Sequence, residues 1–349
     1  ISEWLDSVGN PYPVSSPSLE TATARLEDDR GDIAGYIDRV GREREELEAL
    51  LADYGVEVTD SRANFVFGRF EDAAWVQDAL AGMGFAVRAF PDDTELADAL
   101  RITCPGDPEV SEKLVDALHT IFDPEALFLD MDGVLADVSD SYRQAIVQTA
   151  AHFGLELTDD DVSEAKSAGD ANNDWILTQR LLAEADIEID YDDVKAVYEA
   201  RYQGEGDHRG LWRRESLIHE IERLRTLAER LPLGIVTGRP RRDADRFFEH
   251  TGLDEVVEAV VCMEDAPRKP APEPVELLAD RMGVERGWMI GDTPDDAKAA
   301  RAYGALPLGT IGPGEDPATM RPALIEAGCA RIIEDFDELE ALLAASCRR

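Results

Sequence analysis

Two carboxylates follow an apolar run and precede a glycine in the sequence Asp130-Met-Asp132-Gly. The run Ala126-Leu-Phe-Leu predicts a buried strand. In an open α/β sheet the carboxyl end of a strand faces the ligand crevice, so both acids are expected to project from rigid backbone into a site. By itself, the pattern Asp-x-Asp-Gly is equally compatible with a polar turn that closes a strand.

A hydroxyl and a cation follow two later apolar runs. The run Leu233-Gly-Ile-Val ends on Thr237 and a glycine, where a hydroxyl and free backbone N–H groups suit an anion. Lys269 comes after the short apolar stretch 257–261 and is a compact cation that suits a phosphate group. A single lysine is also common on protein surfaces, so each of these two signals is weak when taken alone.

A second pair of carboxylates follows the apolar run Trp288-Met-Ile-Gly. Asp292 comes directly after this run, and a helix beginning near Pro294 places Asp296 beside the same crevice. In chain order, the four strand ends offer a carboxylate pair, a hydroxyl, a cation and another carboxylate pair. This combination favours one shared site over four unrelated turns.

These motifs, in this order, resemble those of the haloacid dehalogenase superfamily phosphatases over residues 124 to about 345. The resemblance implies an α/β fold with a Rossmann-like parallel sheet. It also implies that Asp130 attacks phosphorus to form an aspartyl-phosphate, and that Asp132 protonates the leaving oxygen and then activates water. Thr237 and Lys269 would hold the phosphoryl oxygens. The acid at position 132 argues against a dehalogenase, because a departing halide needs no proton.

A divalent cation is implied by the crowding of Asp130, Asp132, Asp292 and Asp296 around a phosphate dianion. Four carboxylates repel one another and the substrate unless a hard cation is present, and oxygen ligands with retained waters suit Mg²⁺. The family resemblance implies that Asp130, Asp292 and the backbone carbonyl of Asp132 ligate the metal. Asp296 would support its water ligands or Lys269.

Roughly a hundred residues separate the first motif from the second, far more than the ~2–6 residues of an ordinary βα connection. Apolar residues recur at helical spacing over 142–153, 175–182 and 194–202, which predicts three helices. The insert, about residues 139–212, resembles the helical cap of the first subfamily of these enzymes. Such caps exclude water and select substrates.

A polar loop inside the insert, Ala168-Gly-Asp-Ala-Asn172-Asn173-Asp174-Trp175, opens one of the predicted helices. We expect Asn172, Asn173 and Trp175 to bind the polar and aromatic groups of a substrate. Asp174 or Asn173 is equally suited to be only the N-cap of the helix. The sequence leaves these two roles open.

Three arginines follow the second motif, at Arg239, Arg241 and Arg242. Arg239 is a candidate substrate-binding residue because it lies two positions after Thr237. In a chain this acidic, local salt bridges are the main alternative for all three.

The first 122 residues contain none of these motifs and have a pattern of their own. It comprises a helical span at 17–54, strands at 56–58 and 64–69, a helix at 72–83, strands at 86–88 and 99–103, and a helix at 110–121. This α+β order, with Ser61-Arg-Ala-Asn-Phe-Val-Phe, Gly84-Phe-Ala-Val-Arg and Leu100-Arg-Ile-Thr, resembles the C-terminal small domain of histidinol-phosphate-type aminotransferases. Arg101 matches the arginine that fixes a substrate anion in that family, and its alternative is an exposed strand arginine.

The large domain of those aminotransferases has no counterpart in these 349 residues. The lysine that carries pyridoxal phosphate belongs to that domain, so we expect no transamination by this chain alone. Because residue 1 is Ile, we expect the chain to be part of a longer polypeptide. If an upstream half exists, aminotransferase activity becomes a candidate function again. We place the domain boundary between residues 1–122 and 123–349, where Pro124 ends a helix. The first domain is interpreted as an aid to homodimerisation or a cover for the site.

The composition is strongly acidic, with 75 acidic against 35 basic residues and a net charge of −40. Such a surface resembles that of a salt-in halophile, where concentrated ions screen self-repulsion; a mesophilic protein with an acidic binding face is the alternative. Nucleic-acid binding is disfavoured, since it requires basic patches. With no signal peptide and no run of ~18 apolar residues, we expect a soluble, cytoplasmic protein that does not bind membranes.

The sequence therefore predicts a magnesium-dependent phosphatase that hydrolyses a small phosphorylated metabolite. Histidinol phosphate is the first substrate to test, because the aminotransferase-like segment resembles an enzyme of histidine biosynthesis. A sugar phosphomutase, a noncatalytic binding module and a fragment of an aminotransferase fusion are the alternatives.

Overall fold

The computed structural model describes residues 15–28, 30–167, 173–205 and 209–346. Among these residues there are two sheets and a short two-stranded ribbon. The first sheet has four antiparallel strands, and the second has six parallel strands. The two sheets correspond to the α+β and α/β parts expected from the sequence.

The four-stranded sheet has the order β1-β2-β4-β3. Its strands are β1 (Glu57–Thr59), β2 (Phe65–Arg69), β3 (Arg88–Ala89) and β4 (Ala99–Thr103). The helices of this part are α1 (Ser16–Asp28), α2 (Arg30–Asp53), α3 (Ala73–Gly82) and α4 (Pro108–Phe122). The element order agrees with the prediction, except that the helical span predicted over 17–54 is two helices.

Side-chain caps fix where α3 and α4 begin. The Asp72 carboxylate accepts a hydrogen bond from the Trp75 backbone N–H at 2.8 Å. Asp107 caps α4 in the same way, and Pro108 fills the first helical position, where no N–H is needed. Arg101 on β4 is exposed with its guanidinium 5.3 Å from the Phe65 ring centre, which fits the exposed strand arginine.

The six-stranded parallel sheet has the order β12-β11-β10-β5-β8-β9. Its strands are β5 (Ala126–Leu129), β8 (Leu233–Val236), β9 (Ala259–Val261), β10 (Gly287–Gly291), β11 (Leu306–Gly309) and β12 (Arg331–Ile332). Every residue of β5, β8, β10 and β11 is buried, as expected where a parallel sheet is covered on both faces. Since β5 lies between β10 and β8, the ends of three strands that carry predicted site residues are neighbours.

The insert between β5 and β8 is helical, as predicted. It contains α5 (Tyr142–His152), α6 (Asp159–Ser167), α7 (Asp174–Glu184) and α8 (Tyr191–Gln203). Its two connections to the sheet pair as an antiparallel ribbon of β6 (Ala136–Asp137) and β7 (Ser216–Leu217). We call these four helices the cap, and this ribbon with the adjoining residues 211–215 the hinge.

Helix α6 was not predicted because its sequence, with three consecutive aspartates at the start, is too polar to give an apolar period. Those acids favour a helix N-terminus through the helix dipole. The Asp161 carboxylate accepts hydrogen bonds from the Thr158 N–H at 2.7 Å and its hydroxyl at 2.6 Å, and the Asp161 N–H donates to the Thr158 oxygen at 3.2 Å. The Thr-x-x-Asp capping box was the available sequence signal.

The remaining helices flank the parallel sheet. They are α9 (Ile221–Arg230), α10 (Arg241–Thr251), α11 (Glu273–Met282), α12 (Pro294–Tyr303), α13 (Pro317–Ala327) and α14 (Phe336–Ser346). No helix of the described residues is both long enough and apolar enough to cross a bilayer.

Helices α3 and α4 of the N-terminal part pack directly on the parallel sheet, α3 against β11 and β12 and α4 against β10 and β11. The rings of Trp75 and Trp288 meet edge to face at 5.3 Å, and both are fully buried. The Trp75 indole N–H donates to the Ser346 hydroxyl at 2.8 Å, and that of Trp288 donates to the Thr120 carbonyl at 2.8 Å. One hydrophobic core thus spans the predicted boundary at 122/123, and the division into two domains stays a prediction.

We expect Trp75→Phe to lower the free energy of unfolding by about 1–3 kcal/mol, because it removes the indole donor and leaves the buried Ser346 hydroxyl unpaired. Urea titrations at high KCl measure this change. Trp212→Phe, at a half-buried tryptophan in the hinge, is the matched control and should cost less. Equal losses for the two variants would contradict a structural role for the Trp75 contact.

Candidate active site

Three predicted site residues lie at one edge of the parallel sheet. Asp130 directly follows β5, Thr237 follows β8 and Asp292 follows β10. The Asp130 N–H donates to the Ile290 carbonyl at 2.9 Å, so the strand pairing continues up to the first of these acids. All three side chains are nearly buried.

Lys269 reaches the same edge from the loop after β9. Its Nζ lies 2.5 Å from the Asp130 carboxylate, donates to the Val236 carbonyl at 3.2 Å and contacts the Asp296 carboxylate. Burial alone would lower the pKa of Lys269, but the carboxylates of Asp130 and Asp296 outweigh it and raise that pKa. The lysine is therefore a charged ammonium placed against the predicted nucleophile, not a surface cation.

Three buried carboxylates form a compact cluster. Oxygens of Asp130, Asp292 and Asp296 all lie within 4.8 Å of one another. Burial, followed by repulsion from the neighbouring acids, raises the pKa of Asp292, and burial raises that of Asp130 despite the opposing ammonium of Lys269. The three carboxylates outnumber the ammonium groups of Lys269 and Lys166 that act on them, which leaves an excess of negative charge at this edge.

Asp296 is held on two sides. One of its carboxylate oxygens accepts hydrogen bonds from the Thr293 hydroxyl at 2.6 Å and the Thr293 N–H at 3.0 Å, as in a capping box at the start of α12. The other oxygen contacts Lys269. This position fits the predicted role of Asp296 in supporting Lys269.

The Asp132 carboxylate points away from this cluster and toward Arg239. The Arg239 Nε donates to one Asp132 oxygen at 2.7 Å, and Nη2 lies 2.6 Å from the same atom. The Asp132 side chain is not part of the acidic cluster, and the metal contact through its backbone carbonyl stays a prediction. Its carboxylate is left facing the cleft, with about 30% of the side chain exposed.

The turn after Asp132 is closely packed. Gly133 has a φ of +77° and its N–H donates to the Ala136 carbonyl at 2.9 Å. A Cβ at this position would lie 2.1 Å from a carboxylate oxygen of Asp292. Glycine is therefore required both by the left-handed backbone and by the contact with Asp292.

The arginines after Thr237 are engaged in ion pairs. Arg239 is only 1% exposed and also donates to Glu215 at 2.8 Å, Arg241 contacts Asp265, and Arg242 lies 2.9 Å from Glu199. The salt-bridge alternative thus describes the geometry of all three. The substrate-binding role of Arg239 stays a prediction. The Arg239 backbone N–H also donates to the Thr237 hydroxyl oxygen at 3.1 Å, which restricts the orientation of this hydroxyl.

The cap covers the edge of the sheet, and residues of the cap line one cleft together with Asp130, Asp132 and Asp292. Asn173 lies on the cap side and acts as the N-cap of α7. Its side-chain amide oxygen accepts hydrogen bonds from the backbone N–H groups of Trp175 and Ile176, each at 3.1 Å. The Trp175 ring lies 4.1 Å from the Lys195 ammonium. Asn173 and Trp175 both line the cleft, and their roles in substrate binding stay predictions. Asn172 lies outside the described residues.

Sequence reasoning missed several residues of the cleft. Lys166 on α6 lines it; burial opposes the charged form, but Asp174 and Asp292 raise its pKa. The Tyr198 hydroxyl donates to Asp174 at 3.0 Å, and burial raises the pKa of that carboxyl. The capping box of α6 was a signal for the helix that carries Lys166. Glu215, in the segment between cap and sheet, does not line the cleft but contacts Arg239, which does, and it had no such signal.

The family model for haloacid dehalogenase-like hydrolases matches residues 124–304, just over half of the chain. The chain belongs to the haloacid dehalogenase-like hydrolase family. The model for class I and II aminotransferases matches residues 1–118. Both resemblances inferred from the sequence are thereby confirmed.

Curated relatives include a phosphatase, an aminotransferase and a protein named as a dehydratase. An imidazoleglycerol-phosphate dehydratase from Phytophthora nicotianae is 41% identical over 62% of this chain and 49% of its own length. Fructose-1-phosphate phosphatase YqaB from Escherichia coli is 28% identical over 51% of this hydrolase and 92% of its own length. A histidinol-phosphate aminotransferase from Streptomyces avermitilis is 37% identical over 32% of this chain and 29% of its own length. The hydrolase thus spans about half of the first relative and less of the aminotransferase.

Solved structures support the fold. A hydrolase of the same family from Deinococcus radiodurans, crystallised with phosphate and sodium, has a TM-score of 0.51 and 24% identity over 64% of this chain and 97% of that chain. This likeness concerns the fold alone.

Proposed function

We propose that this hydrolase is a magnesium-dependent phosphatase of small phosphate monoesters that acts through an aspartyl-phosphate on Asp130. The observation that carries this proposal is the contact of Asp130 with the Lys269 ammonium at 2.5 Å, inside a buried cluster with Asp292 and Asp296. A carboxylate fixed at a strand end beside a cation suits attack on phosphorus. The similarity to a fructose-1-phosphate phosphatase supports the same reaction class.

The reaction runs in two displacements at the same carboxylate. Asp130 attacks phosphorus and the ester oxygen leaves with a proton from Asp132, which gives an alcohol and an aspartyl-phosphate. Asp132 then takes a proton from a water that attacks the phosphorus, and inorganic phosphate leaves as Asp130 is regenerated. The Thr237 hydroxyl and Lys269 hold phosphoryl oxygens as charge moves between them.

The donor set of the acidic cluster fits Mg²⁺. All of its donors are oxygens, and the three carboxylates outnumber the ammonium groups of Lys269 and Lys166, so a hard divalent cation would offset the remaining negative charge. Asp130, Asp292 and the backbone carbonyl of Asp132 would hold the ion. When bound, it would neutralise charge on the phosphoryl oxygens.

Histidinol phosphate is the substrate that we propose. The N-terminal residues match an aminotransferase named for that ester, and another relative is named for an imidazole-bearing phosphate ester. The cap side of the cleft carries the rings of Trp175 and Tyr198 and the carboxylates of Asp174 and Glu199. Aromatic faces and carboxylates suit an imidazole ring and an ammonium group.

A panel of phosphate esters tests the proposal. We expect phosphate release at high KCl to require Mg²⁺, to stop with EDTA, and to be fastest with histidinol phosphate among a set that includes phosphoglycolate, fructose 1-phosphate and p-nitrophenyl phosphate. No release from any ester would reject a phosphatase and favour a binding module. Isomerisation of a sugar phosphate without free phosphate would favour a mutase. Faster phosphate release from another ester would reject histidinol phosphate as the substrate but not the phosphatase activity.

We expect Gly133→Ala to lower kcat by about 10²-fold, since a displacement on the order of 1 Å at a catalytic group has this effect. The added Cβ would meet Asp292 at 2.1 Å and must displace it or the turn. Steady-state kinetics at saturating Mg²⁺ measure the loss. Gly252→Ala is a matched control, because Gly252 also has positive φ, at +76°, but has open space around its Cβ position. Similar kcat losses in the two variants would contradict the steric argument.

A further inference from the structure

Arg239 connects three parts of the molecule that the reaction must coordinate. It lies in the loop after β8, and its guanidinium contacts Asp132 through Nε and Nη2. Nη1 donates to Glu215 at 2.8 Å. The guanidinium also lies over the Tyr142 ring at 4.8 Å and the Phe247 ring at 5.2 Å, so its plane is held by packing.

Glu215 belongs to the hinge, where the chain leaves the cap for the sheet. One of its oxygens accepts from Arg239, and the other accepts from the Tyr202 hydroxyl at 2.9 Å. Tyr202 lies on cap helix α8, and its ring stacks on Tyr142 of α5 at 4.5 Å. A continuous series of hydrogen bonds therefore runs from Asp132 through Arg239 and Glu215 to the cap.

The burial of this series shows that it is part of the structure and not a surface ion pair. The side chains of Arg239 and Glu215 are 1% and 3% exposed, and Tyr202 is 1% exposed. Glu215 balances the charge of the guanidinium, so the pair presents Asp132 with a directed N–H donor at little net charge. A planar guanidinium fork fixes the direction of a carboxylate better than an ammonium does.

We propose that Arg239 is a positioning residue that directs the Asp132 carboxylate toward the leaving-group oxygen, and that Glu215 and Tyr202 tie this orientation to the cap hinge. The inference rests on the proposed function, in which Asp132 donates and accepts the proton. The alternative, direct substrate binding by Arg239, conflicts with its 1% exposure and with the hydrogen bonds that Nε and Nη1 already donate to Asp132 and Glu215.

Leaving-group dependence tests the proposal. An alkyl phosphate needs a proton on its departing oxygen, whereas p-nitrophenolate leaves with little help. We expect Arg239→Gln to lower kcat for the alkyl ester by roughly 100-fold, in the range of general acid catalysis, and for p-nitrophenyl phosphate by only a few fold. Arg239→Lys keeps the charge without the fork and should give an intermediate, equally selective loss.

Two further comparisons separate positioning from folding. The double variant Arg239→Gln/Glu215→Gln removes both buried charges, and it carries the same test if the single variant does not fold. In an Asp132→Asn background, Arg239→Gln should add no further selectivity, because the two residues act on one step. Tyr202→Phe removes only the hydroxyl. It should also lower kcat more for the alkyl ester than for p-nitrophenyl phosphate, but by a smaller factor than Arg239→Gln does.

Arg241→Gln is the matched control, since this arginine begins α10 two positions after Arg239 but contacts Asp265 away from the cleft. It should leave both rates unchanged. Two results would overturn the positioning role alone. One is an equal fall in kcat for both esters in a folded Arg239→Gln variant, and the other is a raised KM for the alkyl ester with unchanged kcat. If the unsubstituted protein releases phosphate from no ester, the proposed function fails and the inference falls with it.

Discussion

Asp130→Asn is expected to lower kcat for phosphate release by at least about 10⁴-fold, because an amide cannot serve as the nucleophile and other groups of the site cannot replace it. The substitution keeps the size of the side chain at the end of β5. Acid-quenched protein from the unsubstituted chain should carry phosphate on a peptide that contains Asp130, and the variant should carry none. Mass spectrometry makes that comparison.

The same variant should not lose stability. Burial raises the pKa of Asp130, which means that its ionised form is costly in the folded protein. Removing one negative charge from the cluster should leave the free energy of unfolding unchanged or higher. Asp280→Asn, at an exposed position on α11, is the control for both measurements. Retained activity in Asp130→Asn would show that another group attacks phosphorus.

The convergence of the site was predictable because it follows from local pattern and sheet topology. Apolar runs that end on Asp130, Thr237 and Asp292 indicate strands, and parallel strands bring their carboxyl ends to one edge. The order in which β5 lies between β8 and β10 makes these three residues neighbours. No long-range side-chain information was needed for this step.

Other parts of the site depend on contacts that the sequence does not encode locally. Lys269 follows β9 by a loop, and only the folded chain shows its ammonium against Asp130. Glu215 is separated from Arg239 by β7, α9 and β8, so their pairing has no periodic signature. The packing of Trp75 on Trp288 likewise joins distant segments, and it shows why a boundary placed from sequence at 122/123 need not separate two cores.

Repulsion between carboxylates must be offset both on the acidic surface and in the acidic site. At the surface, a net charge of −40 is spread out and can be screened by dissolved ions. In the site, the carboxylates are buried and mobile ions screen them poorly, so fixed cations must offset the repulsion. Lys269 is the described cation in contact with Asp130 and Asp296, and its loss therefore has consequences for both folding and chemistry.

Lys269→Met should lower the free energy of unfolding by about 3–5 kcal/mol in EDTA, because it removes one partner of a buried ion pair and leaves Asp130 and Asp296 uncompensated. Methionine keeps the unbranched apolar stem of the side chain and lacks only its terminal ammonium. We also expect kcat to fall by about 10²–10³-fold, since a donor to the phosphoryl oxygens is lost. Urea titrations and steady-state kinetics measure the two effects separately.

Magnesium should recover part of the stability and little of the rate. An ion that binds only the folded protein adds about 2.7 kcal/mol at 100 times its Kd, and it offsets the same carboxylates that Lys269 does. It cannot replace an ammonium beside the phosphoryl group. Lys298→Met is the matched control, since Lys298 is 51% exposed and 3.8 Å from Asp295, and its loss should cost less than about 1 kcal/mol. A Lys269→Met variant as stable in EDTA as the unsubstituted protein would show that the three acids do not carry the charge excess on which the metal proposal depends.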